Sequence, residues 1–201
     1  MEKNKMEKEE LKRDNIGQEY KWNLSDIYEN YSAWEKDFEK VGELKRELAK
    51  FKGQFGNEGK LLEFFQKQEE MDKISYKLYR YPQLARDLNS SDKEAVEHLQ
   101  KVQFLFAEIS TELSWVNSEL VENRENIEKW IEKKEFDDYR FGLKNLFRLQ
   151  KHILEEKESK LLSYYSSFFS APRSIYSEVT VTDVEWPQVT LSSGEKVDVT
   201  P

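Results

Sequence analysis

The chain carries two histidines, His98 and His152, and no cysteine. His152 heads the run His152-Ile153-Leu154-Glu155-Glu156, which sets an imidazole against carboxylates at i+3 and i+4, a spacing that can bring both to one helical face. A zinc site needs three or four protein ligands, or an H-E-x-x-H pair, and neither pattern is written here. His152 therefore reads as a structural or capping residue. His98, beside Leu99 with Glu94 and Glu97 close by, reads as a surface residue and not as a ligand or base. Acidic clusters at Glu7-Lys8-Glu9-Glu10, Glu69-Glu70 and Asp137-Asp138 could in principle supply an acid and a base, but glutamates interleaved with lysines more commonly form solvated helix faces. Gly53-x-x-Gly56-x-x-Gly59 lies between two helical patterns, not after a strand, so it does not match a phosphate-cradling loop. Tyr76, Tyr79, Tyr81, Phe104 and Phe106 could line a ligand groove, although aromatics at helical spacing belong more often to a core. No catalytic, cofactor-binding or metal-binding residue is assigned.

Charge narrows the remaining classes. Thirty-two basic against 40 acidic residues leave a net charge of −8, which repels a phosphate backbone and argues against nucleic acid as a partner. Without cysteine there is no disulfide framework, no thiolate-bound metal and no thiol nucleophile. Met1 to Glu10 lacks the apolar segment of a signal peptide, and no run approaches the ~18 apolar residues of a membrane span. A soluble, cytoplasmic chain with no membrane partner is expected.

The elements that would position these side chains are mainly helical. Seven Gly and four Pro in 201 residues are too few for the turns of an all-β fold, while five Trp, ten Tyr and twelve Phe supply a core despite 37% apolar content. Residues 1–15 are almost wholly charged and read as a mobile tail. Ser32 with Glu35 fits a capping box ahead of the stripe Trp34, Phe38, Val41, Leu44, Leu48, Phe51, which Gly53 and Gly56 end. A second pattern runs from about Glu58 to Leu88, with a kink or break expected at Pro82. Ser91 with Glu94 opens the most regular segment, Val96 through Ile109 to Leu120, whose spacing predicts one helix of about 30 residues. Asn123 would cap a shorter helix. Lys133-Lys134-Glu135 would turn the chain into the run 136–149, and 154–169 continues the helical pattern. After Pro172 the period changes: valine-rich runs flank Ser192-Ser193-Gly194 as a β-hairpin, with Pro187 confining its strand to an edge. The expected fold is mainly α: an array of antiparallel helical hairpins over 16–178 with a small C-terminal β-hairpin over 179–201.

Several separated stretches resemble oligoendopeptidase F, a family of thimet-like zinc oligopeptidases. They are Arg13-Asp14-Asn15-Ile16 with Lys21-Trp22-Asn23-Leu24-Ser25-Asp26-Ile27-Tyr28 and Trp34, the run Leu78 to Asn89, and Lys151 to Glu158 with Leu161-Leu162, Ile175-Tyr176 and Asp183 to Val189. The resemblance implies a helical N-terminal domain, with the H-E-x-x-H helix and its zinc in a separate C-terminal catalytic domain. The sequence reaches Pro201 ahead of any such motif, so it implies a severed or truncated chain without cofactor, whose parent is a zinc metallopeptidase. There the domain would form a wall or lid of a channel admitting short peptides. The alternative is a free-standing helical module that binds a protein or peptide.

One surface stands out. Tyr164, Tyr165, Phe168, Phe169, Tyr176 and Trp186 crowd the last quarter of the chain among serines instead of lysines and glutamates. A charge-poor aromatic surface has the composition of an interface core. It is the expected docking face for the missing catalytic domain, or for a second copy in a homodimer.

Overall fold

The computed structural model describes residues 17–89, 92–152, 154–169, 171–180 and 187–199. The charged tail, the Ser91 cap, Trp186 and the valines at 181 and 184 lie outside the described residues. The fold is mainly α, with one two-stranded antiparallel sheet near the C-terminus. The core is built by α1 (Tyr31–Ala49), α2 (Glu58–Leu88) and α3 (Lys93–Glu112), each packed on the others.

Helix α1 begins one residue before the expected capping box. Tyr31 is already helical, so Asn30 takes the cap and its side chain accepts from the Ala33 N–H at 3.0 Å. The stripe then buries Trp34, Val41, Leu44 and Leu48. After Ala49 the chain turns through residues 50–56, where Gly53 adopts φ +79°, a conformation that costs glycine little.

Helix α2 runs 31 residues from its Asn57 cap, and the break expected at Pro82 does not occur. Proline removes the donor that would bond the carbonyl four residues back, here that of Leu78. That carbonyl instead accepts the indole N–H of Trp34 at 2.8 Å, within the core. Pro82 is itself fully buried. A tertiary hydrogen bond thus replaces the lost helical one.

The 30-residue helix expected from Ser91 to Leu120 is two helices. Asp92 caps α3, accepting from the Glu94 and Ala95 N–H groups, and α3 ends at Glu112. The Thr111 hydroxyl donates to the Ala107 carbonyl at 3.0 Å and the Ser114 hydroxyl to that of Thr111 at 2.9 Å, local bonds that compete with the helical ladder. The resulting turn seats Trp115 against Phe55 and Phe64 before α4 (Val116–Glu122). Asn123 stands at the start of α5 (Arg124–Trp130), but its side chain donates back to the Glu119 carbonyl and caps nothing ahead of it. Beyond the turn at 131–133 and a short 3₁₀ segment comes α6 (Asp137–Arg148).

The apolar pattern of 154–169 is also divided, into α7 (Glu156–Ser163) and α8 (Ser166–Phe169). Pro172 does not end the helical region; it lies in the first turn of α9 (Ala171–Glu178), where backbone donors have no helical partner to lose. Strands β1 (Gln188–Thr190) and β2 (Lys196–Asp198) pair with Val189 opposite Val197, across a turn in which Gly194 has φ +84°. Pro187 contributes only its carbonyl, which accepts from Val199.

The buried apolar cluster extends from Tyr28 to Phe147. Among the described residues beyond Phe147, no large apolar side chain is buried. Among the described residues, no helix is long and apolar enough to cross a membrane.

Candidate functional site

His98 is not a surface residue. It falls on the α3 face that buries Ala95, Leu99 and Val102, and is 6% exposed. Its ring stacks on Tyr31 at 3.8 Å and meets the edge of Trp34 at 4.8 Å. Nδ1 lies 2.8 Å from the Glu94 carbonyl and Nε2 3.3 Å from the Glu35 carboxylate, which also holds Lys101. His152 sits exposed in a 3₁₀ turn, and α7 starts only at Glu156, so the histidine–carboxylate spacing does not share one helical face. Glu156 pairs instead with Lys52, tying the start of α7 to the end of α1. No group of three or more histidine, aspartate or glutamate side chains capable of holding a metal exists among the described residues. Among the described residues, therefore, no donor set fits a zinc ion.

In the acidic pairs inside the described residues, three of the four carboxylates are held by a cation. Glu69 binds Lys73, Glu70 binds Lys40 and Asp137 binds Arg140. The glycine loop does receive an anion, but an internal one: the N–H groups of Gly53 and Phe55 donate to the Glu119 carboxylate at 2.7 and 2.8 Å. Sequence reasoning missed Glu119, which is 8% exposed. Its signal was a carboxylate one helical turn beyond Trp115 and adjacent to Leu120, on the buried face.

The aromatic set divides. Tyr79, Tyr81 and Phe106 pack against the core, whereas Tyr76 and Phe104 are exposed. Phe104 borders a groove of about 690 Å³ between α1, α3 and α7. Its wall includes Lys45, held by Glu108 at 2.7 Å and Glu112 at 3.3 Å, and the hydrogen-bonded pair Thr111 and Ser163. Tyr164 closes the C-terminal end of the same groove. Near the start of α1, burial first, and then its hydrogen bond to Asp37 at 2.7 Å, holds the Tyr28 phenol well above the usual range.

Five of the six expected surface residues are described. Tyr164, Tyr165, Phe168, Phe169 and Tyr176 are 58, 53, 68, 70 and 66% exposed. Leu161, Leu162 and Ile175 are exposed in the same region. The arrangement is that of a helical body without a metal cluster among its described residues, carrying an outward-facing apolar segment at its C-terminal end.

A family model for Oligopeptidase F matches residues 122–186. An oligoendopeptidase F homolog of Borreliella burgdorferi is 25% identical over 184 residues, covering 89% of this chain and 30% of the relative. Oligopeptidase PepF of Bacillus subtilis is 24% identical over 191 residues, covering 94% and 28%. The crystal structure of oligoendopeptidase-F from Enterococcus faecium shares the fold, with a TM-score of 0.70 at 20% identity over 83% of this chain and 32% of that one. The chain is thus similar to the N-terminal region of oligoendopeptidase F proteins. It spans 28–32% of the length of these three matches.

Proposed function

We propose that this chain is the non-catalytic N-terminal domain of an oligoendopeptidase F-like zinc metallopeptidase, forming a wall or lid of the channel through which short peptides reach a separate catalytic domain. In this reading residues 16–178 are the helical body and 179–201 the junction. The observation that carries it is the change at Phe147. Up to it the chain builds a buried apolar core; beyond it, no large apolar side chain described is buried. Five aromatic side chains of roughly 150–250 Å² each, a little over half exposed, present on the order of 600 Å². That equals or exceeds the largest apolar patch of a typical monomer, about 300–600 Å². With Leu161, Leu162 and Ile175 it approaches the roughly 800 Å² that one partner contributes to a stable interface. The two-stranded sheet supports the same reading, because a lone hairpin is marginal in water and needs a surface to pack on.

Reading the coding sequence past Pro201 and assaying its whole product provides the test. An H-E-x-x-H motif downstream, with chelator-sensitive cleavage of short peptides, is expected; a stop codon at that point favours the free-standing interaction module. Sedimentation and hydrogen exchange of the present chain test the docking face. Self-association that is abolished by Tyr165→Glu with Phe168→Glu supports an exposed apolar face. A monomer whose residues 187–199 are fully protected from exchange makes that segment internal core and defeats the docking reading.

A further inference from the structure

His98 joins the first half of α1 to the first half of α3, and its side chain is 8% exposed. A buried imidazole must match a proton or a lone pair to each neighbour. Nδ1 lies 2.8 Å from the Glu94 carbonyl, which only accepts, so that nitrogen carries a proton. In a neutral ring Nε2 would then present a bare lone pair. It faces the Glu35 carboxylate, a second acceptor, at 3.3 Å. Only a proton on Nε2 makes that contact attractive.

The neighbours on all three core helices bear on that proton. From α1, the Tyr31 ring stacks on the imidazole at 3.8 Å, and an aromatic face favours a cation. Tyr31 itself stays neutral, because burial first, and then the charge of Asp92, pushes its phenol up to about 12. Tyr81, which α2 brings to 5.1 Å from the Tyr31 ring, is likewise raised by burial. On α3, Asp92 is committed to the N–H groups of Glu94 and Ala95. Lys101 competes with His98, lying 3.1 Å from the same Glu35 oxygen and 3.3 Å from Glu97. Glu35 is 41% exposed, so solvent screens the contact to the strength of an ordinary surface ion pair.

We propose that His98 is held as the doubly protonated imidazolium and clamps α1 to α3 through Glu35, so that this junction of the core loosens as pH rises. Trp34 carries the effect to α2, because its ring meets His98 at 4.8 Å and its N–H bonds the Leu78 carbonyl. None of these residues belongs to the C-terminal segment invoked above. In the unfolded chain the imidazole has no carboxylate fixed beside it and releases its second proton near the ordinary value of about 6.5. Above that pH the folded chain binds more protons than the unfolded one, and stability falls wherever it does. The contribution of the clamp is therefore complete below about pH 6.5 and lost as pH rises above it.

Urea unfolding at about pH 6 and about pH 8 spans this range. Between them the folding constant of the wild type should fall about two- to fivefold further than that of Glu35→Gln, whose neutral amide can donate to a bare Nε2. Every other group that titrates in this range, His152 included, is present in both proteins and cancels. Lys101→Ala leaves Glu35 to His98 alone and should widen the fall, which keeps the test open if Glu35→Gln folds poorly. Nitrogen-15 shifts of the His98 ring, assigned by their loss in His98→Gln, should report protons on both nitrogens at about pH 7, where a free imidazole has mostly lost one. A bare Nε2 at that pH, equal falls in the wild type and folded Glu35→Gln, or an unchanged or smaller fall in Lys101→Ala overturns the proposal.

Discussion

The unbroken passage of α2 through Pro82 makes a prediction that can be worked from three residues. The Leu78 carbonyl has lost its helical donor to proline and accepts the Trp34 indole N–H, at 2.8 Å and 44 residues away in sequence. Both Trp34 and Leu78 are fully buried. Trp34→Phe removes the N–H while keeping an aromatic ring, so it costs some packing and leaves a buried carbonyl unpaired. The orphaned group alone accounts for about 1–3 kcal/mol. In a Pro82→Ala background the backbone N–H restored at that position supplies the helical bond to Leu78, and Trp34→Phe then costs the packing only. The intrinsic effect of replacing proline, including its lost packing, appears in both arms and cancels. A double-mutant cycle by urea denaturation of the four proteins should therefore show a coupling of about 1–3 kcal/mol between positions 34 and 82. Additivity within about 0.5 kcal/mol would refute the claim that the indole replaces the missing donor.

Glu119→Gln offers one acceptor where the loop presents two N–H groups, and should destabilise by about 1.5–3 kcal/mol through the loss of one charge-assisted bond, read from the same denaturation curves. His98→Ala should cost more than about 1 kcal/mol, through lost stacking on Tyr31 and lost hydrogen bonding, and calorimetry of that variant checks it. Leu78→Ala, at a fully buried site, should cost about 2–5 kcal/mol, and Ile109→Ala less, because Ile109 is only partly buried; equal losses would contradict the burial pattern. The isolated chain should retain no stoichiometric zinc after dialysis, and metal analysis of the dialysed protein decides this.

Much of the helical plan was legible in the sequence because it depends on local order. The stripe from Trp34 to Leu48, the run 136–149 and the hairpin at Gly194 each follow from spacing and turn chemistry within a few residues. The resemblance to oligoendopeptidase F was equally legible, since motifs spread along the chain keep their order and spacing. Apart from the division of the Ser91–Leu120 helix, where local bonds of Thr111 and Ser114 compete with the ladder, the errors arose where distant residues decide. Pro82 predicts a break from its own chemistry, and only the approach of Trp34 from another helix removes the reason for one. His98 was indistinguishable from a surface histidine until α1 laid Tyr31 and Trp34 on its ring. Glu119 looked like one more acidic residue, yet its carboxylate closes the loop at Gly53 and Phe55 from 64 or more positions away. Periodicity specifies which face of a helix is apolar, because that depends on backbone geometry and side-chain type alone. Which polar groups that face meets depends on the packing of segments far apart in the chain, because a buried donor, acceptor or charge is stabilised only by the particular group brought within hydrogen-bonding distance of it.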